Sequence, residues 1–296
     1  MAPDGLTVAT PVVSNQPPPR RRRVRLPSRR GLALWAGVTL LAIIVLASVL
    51  APLLSPYAPN TIALRATLQP PSMLHWFGTD QLGRDVLTRT LYGGRVSLTI
   101  AASTVVLAGL GGMFMGIAAA YLGGIFDMAV MRLAEVQYAL PAVILAILLV
   151  GVFGSGTANV VLVLTLTNWP RFARVIRAEA QSLSQRDFVL LARMAGASRL
   201  RIILRHIAPN LRSTFFVLLT LDIGLIVTLE ATLSFLGLGV QPPTPSWGGM
   251  IADGRGYLDR AWWTAILPGS VLMLTVLASN LIGDALATTA GTERAE

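Results

Sequence analysis

The sequence lacks both cysteine and lysine. Without cysteine, disulfides, thiolate nucleophiles and thiolate metal sites are excluded, and the redox state of the compartment is left open. A nucleotide-binding loop of the form G-x-x-x-x-G-K-[ST] needs a lysine that reaches the phosphates. The chain therefore cannot hold that type of ATPase site. If ATP drives its function, the hydrolysis takes place on another polypeptide.

Charged residues are also scarce. They make up 13% of the 296 residues, whereas 54% are hydrophobic and the mean hydropathy is +0.65. A chain this apolar is typical of a multi-span membrane protein. The formal charge of +10 comes from arginine alone, and most arginines lie in residues 20–30 and 171–212. Because both clusters flank apolar segments, we expect contact with a lipid membrane and not with nucleic acid.

Long uncharged segments predict the membrane spans. A helix needs about 20 apolar residues to cross the hydrocarbon layer. Six spans are predicted: 32–54, 96–120, 127–152, 158–170 with an arginine-rich extension, 211–236 and 262–286. The predicted fold class is therefore an all-α integral membrane protein with six transmembrane helices and a cytoplasmic elbow between the fourth and the fifth.

The same pattern divides the chain into four segments. Residues 1–30 are predicted to be a disordered basic cytoplasmic tail, because a Pro-rich and Arg-rich stretch cannot bury a core. The others are the first transmembrane helix plus an extracellular segment (31–95), a five-helix core with a loop at 184–210 (96–289), and a second cytoplasmic tail (290–296). Since the arginines concentrate in the tail and around the loop, both termini are predicted to be cytoplasmic.

Residues 187–210, called the elbow below, combine a basic charge with helical periodicity. The apolar residues recur at i, i+3, i+4 and i+7 in two short stretches, Phe188, Leu191, Ala192, Ala195 and then Leu200, Ile203, Leu204, Ile207. Gly196 stands where a left-handed residue ends a helix, and Ser198 is suited to cap the next one. Pro209 is expected to end the second helix. Ser184 and Asp187 form a capping-box pattern before the first.

Two interpretations of the elbow follow from the residues alone. In the first, an amphipathic segment lies on anionic lipid through Arg193, Arg199, Arg201 and Arg205. In the second, two short helices joined at a glycine present an apolar face that a partner protein covers.

A resemblance to a known family favours the second interpretation. The elbow reads A-R-x-x-G-A-S-x-x-R-I-I-x-R-H-I-x-P-N, which resembles the cytoplasmic EAA loop of ABC-importer permeases of the peptide and nickel subfamily. Leu190 stands where that family usually has Glu, and Ala208 where it usually has Leu. A second stretch, Glu230 to Gly248, is similar to the family pattern E-A-x-L-S-F-L-G-L-G-V-Q-P-P-x-P-S-W-G. The segment after the first span resembles that of the C-type subunits.

The resemblance implies a type I ABC importer permease fold and a permease subunit for short peptides in a bacterial cell membrane. It implies four kinds of partner: a second homologous permease, two ATP-binding subunits, an extracellular substrate-binding protein and the lipid. No catalytic residue, cofactor or metal is expected in this chain. The elbow would dock into a groove on an ATPase subunit, with the coupling residues Asp187, Phe188, Leu191, Ala192, Arg193, Gly196, Ala197, Ser198, Arg201, His206 and Pro209.

Ionisable residues inside or beside the predicted spans form a second group of candidates. Asp222 and Glu230 lie about two turns apart in the fifth span, nearly on one face, and either lines a substrate pathway or is hydrogen-bonded between helices. On the predicted outer side, Asp85 and Arg89 are one turn apart and are expected to pair. A structural pair is favoured there over a catalytic use of Asp80, Arg84 and Asp85.

Two other functions remain open at this point. The same machine could import nickel or a metal chelate, although only His75 and His206 are available, on opposite predicted sides of the membrane. A protein of another class, a stand-alone proton-coupled secondary transporter, could use Asp222 and Glu230 as a proton relay. Such a carrier has no need of the elbow.

Overall fold

Helices account for nearly all regular structure in the computed structural model, which describes residues 29–293 and the side chains of residues 31–287. The predicted tail at 1–30 therefore lies almost wholly outside the described residues, as do residues 294–296. The helices are α1 (Arg29–Val49), α2 (Ala51–Leu54), α3 (Val86–Leu122), α4 (Gly124–Tyr138), α5 (Ala142–Phe153), α6 (Thr157–Ser184), α7 (Asp187–Met194), α8 (Arg199–Ile202), α9 (Ala208–Phe235), α10 (Trp247–Gly254), α11 (Leu258–Ala261) and α12 (Trp263–Glu293). The predicted all-α class is confirmed for this part of the chain.

Four of these helical segments are long and apolar enough to cross a membrane. They are Gly31–Val49, Val86–Leu122, Arg199–Phe235 and Trp263–Ala287. The pair α4 and α5 counts as a fifth if it is one broken span. Six spans were predicted, so the described residues support a count of four or five. Helix α6 does not meet this test, because its apolar part ends at Pro170 and three arginines follow.

Small residues set the packing of α3 against α6. A Cβ on Gly112 would lie 2.5 Å from the Phe172 Cβ, and one on Gly116 would lie 2.6 Å from the Ala173 carbonyl oxygen. The absence of side chains at these positions therefore brings the two backbones together, as expected for a small-residue stripe in a membrane helix. The neighbouring Gly111 faces open space.

A sharp bend separates α4 from α5. The two helices meet at 99° around residues 139–141, where Pro141 is the N-cap of α5. Proline lacks an N–H and disfavours helical geometry in the residue before it, so the helix cannot run straight through. The structure therefore shows a complete break of the helix at Pro141.

Helix α3 begins earlier than predicted. Helix α3 starts at Val86, well before residue 96, because the Asp85 carboxylate accepts a hydrogen bond from the Thr88 amide at 2.7 Å and caps it. The Gly- and Pro-rich loop after α9 also contains α10. The Trp247 indole at the start of α10 is fully buried and donates to the Thr90 carbonyl at 2.9 Å.

Candidate coupling site and buried charges

The elbow lies directly between α6 and α9. Helix α6 ends at Ser184, and α7 begins with Asp187, whose carboxylate suits the positive end of the helix dipole. The predicted capping box is wrong. Ser184 donates instead to the Gln181 carbonyl at 2.7 Å, and the N-cap residue of α7 is Arg186, which makes no side-chain capping bond.

The turn at Gly196 has the predicted geometry. Gly196 has φ of +82°, and its amide donates to the Arg193 carbonyl at 3.0 Å. The Ala197 amide donates to the Ala192 carbonyl at 3.0 Å. These two bonds together are a Schellman motif, which satisfies carbonyls that the end of α7 leaves unpaired. Ser198 then caps α8 by accepting from the Arg201 amide at 3.4 Å.

Three fully buried side chains fix the elbow to its own subunit. They are Val189 of α7, Ile202 of α8 and Ile207 in the turn that follows. They pack with the buried Ile176 of α6 and Leu211 of α9, and with the partly buried Ala192 and Ala197 and residues of α3. Sequence periodicity missed Val189 and Ile202, because it identifies a helix face without showing which neighbour covers it.

The opposite side of the elbow is an apolar surface that this subunit leaves uncovered. We call it the docking surface: Phe188, Leu190, Leu191, Met194, Leu200 and Leu204, with relative exposures from 40% to 85%. Arg193, Arg199, Arg201 and Arg205, interspersed with these residues along the chain, are also exposed. A contiguous apolar patch rimmed by polar residues marks an interaction surface. Leu190, where the resembling family usually has Glu, adds an apolar side chain to it.

The end of the elbow differs from the prediction. Pro209 does not terminate the helical path, because it occupies the first turn of α9, where a missing N–H costs little. A π-helical turn, Ile203–Ile207, joins α8 to α9, with the Ala208 amide bonded to the Ile203 carbonyl. The His206 ring lies 6.3 Å from the Phe188 ring, so it contacts the edge of the docking surface. Arg199–Phe235 is thus one continuous helical path.

A cavity of about 640 Å³ opens beside the start of α7. Its lining comes from the last turns of α6, the start of α7 and the start of α9. The lining residues are Glu179, Ser182, Leu183, Arg186, Asp187, Phe188 and Asn210. The cavity and the docking surface share Phe188, so a partner that covers the surface also reaches the cavity.

Asp222 of α9 forms an ion pair within the helix bundle. Its side chain is fully buried, and Oδ1 lies 2.5 Å from Nη1 of Arg171 on α6. Neither carboxylate oxygen has a partner in hydrogen-bonding geometry. The Arg171 side chain is 39% exposed. The pair therefore joins the two helices that the elbow connects, and only its basic partner reaches the surface.

Glu230 lies in a pocket of serine hydroxyls. Ser97 of α3 donates to Oε2 at 3.0 Å, and Ser234 donates to Oε1 at 2.7 Å. The Ser97 oxygen also accepts from the Trp247 amide at 3.3 Å. The fully buried carboxylate thus joins α3, α9 and α10. This arrangement matches the structural alternative, and the role of either acid in a pathway stays a prediction.

The charged residues just before and at the start of α3 form a compact network, although the predicted Asp85–Arg89 pair is wrong. Arg84 donates to Asp80 at 2.6 Å, and Arg89 lies 3.5 Å from the same carboxylate. Asp85 is occupied by the helix cap and by His75 at 2.9 Å. The prediction failed because it considered only neighbours on one helix. Within residues 29–293, no group of three His, Asp or Glu side chains is placed to hold a metal ion.

The described structure is that of a polytopic helical membrane protein with an exposed elbow between two long helices. Residues 112–290 match the family model described as the binding-protein-dependent transport system inner membrane component. The chain belongs to this family. Residues 29–71 also match the N-terminal transmembrane domain of oligopeptide transport permease C.

Relatives match over most of their length. A protein of Brucella suis biovar 1, named as a peptide transport system permease protein, is 45% identical over 262 residues, which cover 88% of each chain. The di/tripeptide transport system permease protein DppC of Pseudomonas aeruginosa is 39% identical over 256 residues, covering 84% of each. The dipeptide transport system permease protein DppC of Alkalihalophilus pseudofirmus is 39% identical over 252 residues, covering 84% of this chain and 82% of the relative.

Proposed function

We propose that the chain is the permease subunit of an ATP-driven importer of short peptides. The observation that carries this proposal is the docking surface, which is apolar, exposed and held in place by buried anchors on its other side. The family membership and the names of the relatives support a role in transport, and those names supply the cargo class.

The proposed topology has six spans with both termini in the cytoplasm. The four long segments supply four spans, and α4 with α5 supplies a fifth. Helix α6 supplies the sixth: its first half is apolar, and its second half carries Arg171, Arg174 and Arg177 into the cytoplasm. This arrangement puts the elbow on the inner side, where arginine is expected, and His75 and α10 on the outer side.

The proposed partners follow from what the chain lacks and what it exposes. A second, homologous permease completes the pathway, and two ATP-binding subunits supply the hydrolysis for which this lysine-free chain has no Walker A loop. One of these subunits covers the docking surface. An extracellular substrate-binding protein delivers the peptide to the outer side. The chain itself acts as a non-catalytic subunit in the cell membrane.

The mechanism is the transfer of motion from the ATPase subunits to the helices. ATP-driven closure displaces the groove that holds α7 and α8. The rigid Schellman turn and the buried anchors pass this displacement to α6 and α9, since the elbow is continuous with both. Alternating access requires helices with two discrete arrangements. The Arg171–Asp222 pair keeps α6 and α9 together during the change, and Asp222 and Glu230 are the candidate residues for the pathway.

Reconstitution in liposomes tests this function. The chain is purified with and without its candidate partner permease, ATPase subunits and binding protein, and uptake of a labelled dipeptide and of Ni²⁺ is measured with ATP or with a proton gradient. We expect dipeptide uptake that requires every partner and ATP. Uptake by the chain alone in response to a proton gradient would identify a secondary transporter, and ATP-driven uptake of Ni²⁺ without peptide would change the cargo.

A further inference from the structure

Most side chains of helix α4 are exposed in the subunit. Only Val130 and Ala134 of its side chains are fully buried, while Ile125 and Met128 are 85% and 67% exposed. It joins α3 through a turn with two glycines in left-handed geometry, Gly123 and Gly124, and it joins α5 through the 99° bend. Because the chain bends sharply at both ends of α4, the position of this helix depends on the contacts along its side.

Three polar contacts connect α4 to α6. Arg177 forms a bidentate ion pair with Asp127, in which its Nε and Nη2 donate to the two carboxylate oxygens. The Arg174 guanidinium lies 4.7 Å from the centre of the Tyr138 ring. The Gln137 amide donates to the Leu166 carbonyl at 3.1 Å. We call these three contacts the α4–α6 clamp.

Two of the three contacts have a clear physical origin. Pro170 has no N–H, so the Leu166 carbonyl four residues earlier loses its helical partner and is available to Gln137. A guanidinium binds a carboxylate with two parallel hydrogen bonds, which fix orientation as well as distance. The hydrogen bond to Asp127 raises the pKa of Arg177. The side chains of this pair are 27% and 18% exposed, so water screens the pair only in part.

The clamp is on the helix that carries the elbow. Arg177 lies two turns before the end of α6, and the last buried residues of α6, Ile176 and Ala180, pack against the elbow anchors. A displacement of the elbow therefore reaches Arg177 through a short, packed stretch of helix. From Arg177 the displacement passes to α4 through the paired carboxylate of Asp127.

We propose that Arg177 is a positioning residue for coupling, and that through Asp127 it makes α4 and α5 move together with the elbow. This proposal rests on the proposed function. It adds a second output of the elbow, directed to the bent α4–α5 pair, to the direct connection with α6 and α9. The clamp makes α4 and α5 follow α6, so a transporter whose permease lacks the clamp is expected to hydrolyse ATP on its ATPase subunits with much less transport.

The first test compares uptake with hydrolysis in the assembled, reconstituted transporter. We expect Arg177→Ala to retain its ATPase subunits and its ATP hydrolysis, while peptide uptake per ATP falls roughly tenfold, a size typical of residues that link two sites. The double variant Arg177→Asp with Asp127→Arg should recover most of the uptake. Arg132→Ala is the matched control, because Arg132 pairs with Glu135 on the same helix at the exposed surface.

Conservative variants keep the test decisive if Arg177→Ala assembles poorly. Arg177→Lys retains the charge but cannot form the bidentate pair, so an intermediate ratio of uptake to hydrolysis is expected. A ratio equal to that of the wild type in Arg177→Lys and in every assembled Arg177 variant would overturn the proposal. So would a charge-swapped variant that assembles normally and is no better than Arg177→Ala.

A distance measurement tests the clamp without ATP hydrolysis and without transport. The chain has no native cysteine, so spin labels can be placed only at Met128→Cys on α4 and Val175→Cys on α6. We expect one narrow distance distribution, unchanged by nucleotide, and a broader one in Arg177→Ala. An equally narrow distribution in Arg177→Ala, or a wild-type distance that shifts with nucleotide, would contradict the clamp. Because this measurement needs no ATP hydrolysis, a negative result is distinguishable from failure of the proposed function.

Discussion

The amide of Ala197 donates a hydrogen bond to the carbonyl of Ala192 at 3.0 Å, across a glycine whose φ is +82°. This bond turns the chain from α7 into α8. It also explains why both short helices can place one residue each, Val189 and Ile202, into the same buried cluster. The docking surface is exposed because the turn directs these anchors inward.

Gly196 is predicted to be required because of its positive φ, and not because a larger side chain would clash with its neighbours. A Cβ there would meet nothing within 4 Å, so a substitution changes only the cost of a positive φ. That cost is about 1–2 kcal/mol for an ordinary residue, and about 1.4 kcal/mol corresponds to a factor of ten. We expect Gly196→Val to lower uptake by roughly tenfold or more, while substrate delivery by the binding protein is unchanged.

The control for this prediction is Gly196→Asn, because asparagine tolerates left-handed geometry better than valine. Its uptake should stay close to that of the wild type. Transport of peptide by Gly196→Val at the normal rate would remove the coupling role from this turn.

Alanine substitutions of Leu200 and Ile202 in α8 are predicted to have opposite effects on stability and on ATPase association. Leu200 is 65% exposed and Ile202 is 1% exposed. Ile202→Ala should destabilise the subunit by roughly 2–5 kcal/mol, as expected for a buried truncation, and this is measured as a lower midpoint of thermal unfolding in detergent. Leu200→Ala should change stability by less than about 0.5 kcal/mol but weaken ATPase association. Equal losses of stability in both variants would show that Leu200 is covered by its own subunit.

Sequence reasoning succeeded at the turn between α7 and α8, where local chemistry decides the structure. A glycine after a helix and a serine before the next one act within a few residues, so the roles of Gly196 and Ser198 could be predicted. It failed where a residue had a choice of partners. Ser184 bonds backward into its own helix, and Arg89 pairs with Asp80 from a separate loop instead of Asp85. The α4–α6 clamp depends on contacts remote in sequence, which no periodicity reveals.

The Arg171–Asp222 pair is predicted to be asymmetric. Arg171→Ala leaves a fully buried carboxylate without a counter-charge, which costs roughly 3–5 kcal/mol when a buried pair is broken. Asp222→Ala leaves a guanidinium that is already 39% exposed and can turn to water. We therefore expect Arg171→Ala to lower the unfolding midpoint more than Asp222→Ala, and the double variant to recover part of the loss. A double variant as unstable as Arg171→Ala would contradict this account.

Glu230 is predicted to act through its serine partners. Glu230→Ala should destabilise the subunit, because it opens a cavity and leaves the Ser97 and Ser234 hydroxyls without their acceptor. Glu230→Gln keeps the volume and can bond to both hydroxyls, so it should fold and transport nearly normally. If Glu230→Gln folds but loses uptake, the charge itself is required and the pathway role is favoured over the structural one.

The most direct test of the coupling site uses two exposed methionines in the cysteine-free chain. Met194 on the docking surface is 85% exposed, and Met73 on the proposed outer side is 92% exposed. Each is replaced by cysteine in the assembled transporter, and both crosslinking to the ATPase subunit and labelling by an impermeant maleimide applied from outside are measured. The account predicts that Met194→Cys crosslinks to the ATPase subunit and is shielded from the outside reagent, while Met73→Cys is labelled and does not crosslink. Labelling of Met194→Cys from outside, or its failure to crosslink in an actively transporting complex, would contradict it.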